Sequence, residues 1–236
     1  MTTEVIPSIA MVVVAHPDDA DWGCSGSVAR WAQQGSKVIY VICTDGSKGS
    51  DDPEMTPDRL IRTRKAEQEA AGRVLGLHKV VFLDYEDAML EPSLDLRRDL
   101  VRQIRRYKPD TLICGSPVRT FDGTGYLGHP DHQASAEAAL AAVFPAARDR
   151  LTFPELLEEG LEPHKVPTVL IMQPSVEANR WVDVTATMDI ALEALMQHVS
   201  QIDPEGAERN MRYWRKRIGE TIGVEYAEAF RAFQLD

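Results

Sequence analysis

In the segment VVVAHPDDAD an apolar run ends directly in His16, Pro17, Asp18 and Asp19, a cluster that folding alone explains poorly. Imidazole nitrogen and carboxylate oxygen are donors that zinc favours, and a catalytic zinc typically keeps three protein ligands and one open position. His16 and Asp19 are separated by two residues across a turn that Pro17 stiffens, a spacing that lets both reach one metal ion and turns Asp18 elsewhere. A second cluster, Gly128-His129-Pro130-Asp131-His132, offers His129 and His132 at a helix entrance where Pro130 suits the first helical position. Brought together, the clusters supply three ligands (His16, Asp19 and His132) and two spare polar groups. Amide hydrolysis needs both spares: a base for the attacking water and a donor for the oxyanion of the tetrahedral intermediate. Asp18 and His129 fit those roles.

Each cluster alone has an ordinary explanation. Asp18 and Asp19 serve equally well as a turn or helix-cap pair, and His129 as a cap for the helix it precedes. The conjunction of HPDD and HPDH favours chemistry over both. Other polar residues read as structural: His78 follows Gly76 at a helix end, His164 lies among prolines, and Cys24 sits under a glycine turn. The stretch Gly23-Cys24-Ser25-Gly26 matches neither the dinucleotide nor the P-loop glycine layout.

The clusters work together only if the chain folds them to one place. Short β-branched runs at 9–15, 37–43, 79–83 and 111–114 alternate with helical apolar spacing at 27–34, 59–75 and 94–107, the pattern of parallel strands joined by crossover helices. In such open α/β sheets the loops at the carboxyl ends of the strands converge on one crevice. The long polar loops 44–58 and 115–131 leave strands at that end and form candidate rims. Beyond them a small-residue helix is expected through 146, strands at 169–172 and 181–184, and helices at 188–201 and 207–222.

A chain of 236 residues with 44% hydrophobic content buries a substantial core, and one domain over 1–236, with 147–236 extending the same sheet, is expected. A formal charge of -11 argues against a nucleic-acid partner, which clustered Lys and Arg would hold. The amino-terminal residues lack a basic and then long apolar leader, and no apolar run is long enough to span a bilayer, so no membrane insertion is expected. Three cysteines without a CxxC pair suit a reducing compartment, and the expected location is cytoplasmic.

On these motifs the chain resembles the LmbE-like (PIG-L) family of zinc-dependent de-N-acetylases. The likeness runs along nearly the whole chain: AHPDD and HPDH, then VICTDGSKG, RTRKAEQEAAGRVLGL, VVFLDYEDAML, HVSQ and IGVEYAEAFR. The TDG loop and the last two segments look most like the archaeal chitooligosaccharide deacetylase branch. The resemblance implies a Rossmann-like α/β fold, a mostly parallel sheet flanked by helices, around a Zn2+ site, and removal of an N-acetyl group from an acetylated amino sugar or its conjugate. It implies that His16, Asp19 and His132 ligate zinc, that Asp18 is the general base, that His129 supports the oxyanion and that Asp131 orients His129. It places Arg64 and Asp87 against substrate, and carries His198 over to a substrate pocket, its own or a neighbouring subunit's in a homo-oligomer. Two positions depart from the family pattern. Ala20 stands where AHPDDE ends in glutamate and is followed by Asp21, an acid moved by one position, and Leu127, with Tyr126 adjacent, stands where the mycothiol branch has its tyrosine. The rivals are a zinc amidase acting on a thiol conjugate or other non-sugar amide, a sugar- or nucleotide-binding protein without turnover, and a helix-mediated interaction protein.

Overall fold

The computed structural model describes residues 6–119, 127–172 and 178–236. Its first half is a strict alternation: β1 (Ile9–Val14), α1 (Asp19–Gln33), β2 (Lys37–Thr44), α2 (Pro57–Leu75), β3 (Lys79–Tyr85), α3 (Leu94–Tyr107) and β4 (Thr111–Cys114). Then follow α4 (Pro130–Ala141), a short α5 (Glu155–Glu158), β5 (Thr168–Met172), β6 (Arg180–Asp183), α6 (Met188–Leu195), α7 (Pro204–Ile222) and β7 (Ala227–Gln234). Local chemistry marks the ends. Thr56 and Ser93 cap α2 and α3 by accepting from the amides of Arg59 and Leu96, and Gly76 closes α2 at φ 74°.

The strands assemble into a seven-stranded sheet in the order β3-β2-β1-β4-β5-β7-β6. β1 through β5 are mutually parallel, and β7 runs antiparallel between β5 and β6. Helices cover both faces, so the central strands are apolar on each side. Met11 and Val13 enter one core with Leu96, Leu100 and Ala138, while Ala10, Val12 and Val14 enter the other with Val28, Trp31 and Ala71.

Three sequence expectations are corrected and one strand is added. Helix α1 begins at Asp19 rather than at residue 27, so Gly23 through Gly26 are helical and not a glycine turn. The glycines there answer to packing: a Cβ on Gly26 would lie 2.8 Å from Val184 Cβ and 2.9 Å from Glu228 Oε1. The helix expected through 146 ends as α-helix at Ala141, because Pro145 lacks the amide a continued helix needs. The helix expected over 188–201 stops at Leu195, and the residues after it bond to other elements. Strand β7 has no counterpart in the sequence reading, since its alternation of Ala, Glu, Phe and Arg carries few β-branched residues.

Substituting Gly26→Ala is expected to destabilise the protein by about 1–3 kcal/mol through overpacking, read as a lower denaturant midpoint with an unchanged slope.

Candidate metal centre

The strand order reverses between β1 and β4, the topological switch point at which an open α/β sheet leaves a crevice beyond its carboxyl ends. Both clusters flank that point: His16 follows β1 by one residue, and His129 caps α4 after the β4 loop. The turn into α1 is tight. Asp18 adopts φ 91° and ψ -29°, and its side chain makes no capping bond to the helix it precedes. Left-handed backbone is uncommon outside glycine and tends to mark functional turns. The carboxylate that the sequence left open as a helix cap is therefore not used as one.

His16 Nδ1 lies 3.4 Å from Asp19 Oδ2 and 3.3 Å from His132 Nε2, and His132 Nε2 lies 3.0 Å from Asp19 Oδ1. One donor atom from each of the three residues falls within 4.8 Å of the others. Two imidazoles and one carboxylate are a donor set suited to a catalytic metal with a position left for water. The His16 amide donates to Asp19 Oδ2 at 2.8 Å, which fixes the carboxylate toward the centre.

The opposite edge of His16 faces acids. Its Nε2 lies 3.0 Å from Asp87 Oδ1 and 3.2 Å from Asp131 Oδ2. Asp131 is itself held by the amides of Ala88 at 2.8 Å and Leu90 at 3.4 Å. Together with His129 these groups form a second set of closely spaced donors. With a metal at the His16, Asp19 and His132 set, these carboxylates would lie behind it, keeping a proton on Nε2 and leaving the Nδ1 lone pair for the ion. Burial pulls His16 down, but the charge of Asp19 and hydrogen bonds to Asp131, Asp19 and Asp87 outweigh it and raise the ring to about 12. Burial likewise disfavours a charged Asp19, yet the charges of His132 and His16 hold it well below the usual carboxylate range. An imidazole so surrounded by acids is a natural place for a cation.

Asp18 and His129 sit beside this centre. Burial, reinforced by the charge of Asp19, pushes Asp18 up to about 7 against the opposing effects of Arg64, His198 and His16. His129 Nδ1 accepts from the Asp131 amide at 3.2 Å, so the ring does cap α4, as its position before Pro130 allowed. With Nδ1 accepting, the proton of the neutral ring resides on Nε2, which becomes a donor. Burial, then the charge of His16, lowers His129 and favours that neutral form. The cap and the donor role are compatible, because they use different nitrogens.

A cavity of about 200 Å³ opens here, lined by His16, Asp18, Arg64, Asp87 and His129 with Lys48 and Gly49 at its rim. Arg64 is buried, and its guanidinium donates to Pro17 O at 2.8 Å and Gly46 O at 3.2 Å. Burial raises Asp87, but its bonds to His16 and to the Lys48 amide hold it at about 2. Two residues lie differently from their sequence assignment. His198 is fully buried, bonds Asp21 Oδ2 through Nε2 at 2.8 Å and does not line the cavity. Asp131 directs its carboxylate to His16, its Oδ1 being 3.8 Å from His129 Nδ1, so it meets His129 through its backbone amide instead. The reason is placement: Asp131 is fully buried in the first turn of α4, beneath the two rings. Lys48, Gly49 and Gln68 were not singled out in the sequence, where the TDGSKG loop was the available signal for the first two; Asp21 stood out there only as a departure from the AHPDDE pattern. Tyr126 lies outside the described residues.

The model of the PIG-L family, GlcNAc-PI de-N-acetylase, matches residues 11–143. A diacetylchitobiose deacetylase of Thermococcus kodakarensis is 29% identical over 224 residues, 94% of this chain and 81% of that protein. A 1D-myo-inositol 2-acetamido-2-deoxy-alpha-D-glucopyranoside deacetylase of Saccharopolyspora erythraea is 32% identical over 186 residues, 69% of this chain and 64% of that protein. The solved structure of N,N'-diacetylchitobiose deacetylase from Pyrococcus horikoshii superposes with a TM-score of 0.89 at 29% identity, covering 97% of this chain and 84% of that one.

Elemental analysis of purified protein is expected to find a bound divalent metal that His16→Ala and His132→Ala lose and Asp18→Asn retains. Asp131→Asn is expected to weaken metal affinity by about 10- to 100-fold, as removal of an outer-shell partner does, measured by competition with a chelating dye.

Proposed function

The chain belongs to the PIG-L family of GlcNAc-PI de-N-acetylases, and on that premise we propose that it is a zinc-dependent hydrolase that removes the N-acetyl group from an N-acetylated amino sugar of the chitobiose type. The observation that carries this reading is the convergence at one sheet edge of a His16, Asp19, His132 donor set with Asp18 and His129 on the adjoining cavity wall. His16, Asp19 and His132 would hold the zinc, which would supply Lewis acidity toward the attacking water and the acyl oxygen. The remaining work falls to the chain. Asp18, raised toward neutrality by burial, takes the proton of the attacking water and passes it to the leaving amine, so the same carboxyl serves as base and then acid. His129 donates from Nε2 to the oxygen that gains charge when the carbonyl becomes tetrahedral.

Arg64 and Asp87 hold the sugar end. Both are buried at the cavity wall, where a cationic donor and an ionised acceptor answer the hydroxyl groups of a pyranose. The cavity suits one sugar unit better than a whole conjugate, leaving the rest of a substrate to extend over the Lys48 and Gly49 rim. Similarity to the two archaeal diacetylchitobiose deacetylases over most of each chain supports that substrate class. Among the described residues no helix is long and apolar enough to cross a membrane. Cys24, Cys43 and Cys114 are free and buried, which supports a reducing compartment such as the cytoplasm.

The test is acetate and amine release from N-acetylglucosamine, N,N'-diacetylchitobiose and acetylglucosaminyl thiol conjugates by the zinc-loaded protein. Turnover of the chitobiose, its loss on chelation and its return with zinc are expected; cleavage confined to thiol conjugates would favour the amidase, and chelator-insensitive binding without turnover a binding protein. Asp18→Asn is expected to lower kcat by about 10²–10⁴-fold, the range for loss of a general base, with zinc content unchanged.

A further inference from the structure

Behind the cavity, a buried polar chain ties Asp18 to the loop that follows α6. Gln68 stands on α2, four residues after Arg64, and its amide is used at both ends. Its Oε1 accepts from the Asp18 backbone amide at 3.0 Å, and its Nε2 donates to Asp21 Oδ2 at 2.9 Å. The same Asp21 oxygen lies 2.8 Å from His198 Nε2, and the side chains of both residues are fully buried. The loop carrying His198 is held at two further points: Ser200 donates to Glu67 from its amide and hydroxyl at 2.8 and 2.7 Å, and Gln201 Nε2 donates to Gly49 O at 3.0 Å.

Two properties of this chain bear on Asp18. A side-chain amide can flip to offer either end, and here the carboxylate of Asp21 selects one orientation, because only the NH2 end can satisfy it. The oxygen is then left for the Asp18 amide. Asp18 itself holds a left-handed backbone conformation that persists only where surrounding groups over-determine it. Gln68 grips that turn at the Asp18 N–H, while Arg64 grips the other end of the same peptide unit at Pro17 O.

We propose that Gln68, oriented by the buried Asp21–His198 pair, is a positioning residue that holds the Asp18 carboxylate at its working place beside the metal ligands. The proposal rests on the reading of Asp18 as the base. It also assigns a part to the acid that stands one position beyond the family's glutamate, and to a histidine that does not reach the cavity.

The experiment is a double-mutant cycle on the full-length, zinc-loaded enzyme, using Gln68→Met, Asp18→Asn and the pair, with zinc content, thermal unfolding, KM and kcat measured for each on diacetylchitobiose. Methionine keeps the length of Gln68 and removes both bonds. Gln68→Met is expected to keep zinc and a KM within about twofold while kcat falls by about 10- to 100-fold, the cost of a misplaced reacting group. In the Asp18→Asn background the same substitution should change the residual kcat by less than about threefold, because residues acting as a unit are non-additive. An equal loss in both backgrounds, or loss of zinc in place of kcat, would overturn the positioning role while leaving Asp18 as the base. Wild-type turnover in Asp18→Asn would overturn the base reading and this proposal with it. Should Gln68→Met fail to fold, Gln68→Ala carries the same cycle with the same outcomes.

Discussion

The site depends on the way one imidazole is shared. His16 is clasped on its Nε2 edge by Asp87 and Asp131 and presents its Nδ1 edge to Asp19 and His132. Neither edge could be satisfied alone. Without the outer carboxylates the ring would be free to rotate and exchange tautomers, and without the inner partners a buried ring drawn so strongly toward the charged state would lack a role for its second nitrogen. The carboxylates are in turn held by backbone amides, Asp131 by Ala88 and Leu90, and Asp87 by Lys48. Main-chain geometry in the segments after β2 and β3 thereby sets the orientation of the His16 ring.

That arrangement belongs to the sheet rather than to any loop by itself. Reversal of strand order between β1 and β4 brings the two histidine motifs to one crevice, and parallel register keeps their strands level: Val13 pairs with Cys114, just before each chain turns out of the sheet. The strands are buried on both faces by apolar residues, so they give the site a rigid floor. Helix α2 contributes from the side. Arg64 and Gln68 lie one turn apart on it, so a single rigid element reaches both the cavity and the backbone that carries Asp18.

Charge sets neighbouring groups in the crevice apart. Asp18 and Asp19 are neighbours in sequence with opposite fates: Asp19 is stabilised as an anion by two rings, while Asp18, buried beside that same anion, is pushed up to about 7. Two adjacent carboxyls whose environments drive their protonation apart are suited to different tasks, and under the proposed function one would hold the metal and the other move the proton. His129 and His132 divide in the same manner. His132 pairs with Asp19, whereas burial and the charge of His16 keep His129 neutral and its Nδ1 is spent on the helix cap.

Much of this was legible in the sequence because it is local or periodic. Alternating β-branched runs and helical spacing announced a parallel α/β sheet, and AHPDD and HPDH stood out since four constrained or polar residues at a strand end serve packing badly. What the sequence could not settle was anything created by distant parts of the chain meeting. Gly23 and Gly26 looked like a turn, whereas they are the thin side of a helix pressed on Met172 and Val184. Strand β7 is made a strand by the two neighbours that receive it, not by its own composition. His198 and Asp21 are 177 positions apart, and no spacing rule foretells that one buried carboxylate will gather that ring and the Gln68 amide. Residue type and order determined which chemistry was available; tertiary structure alone decided which face of each group would be used, because hydrogen-bond direction and burial are properties of the folded neighbourhood.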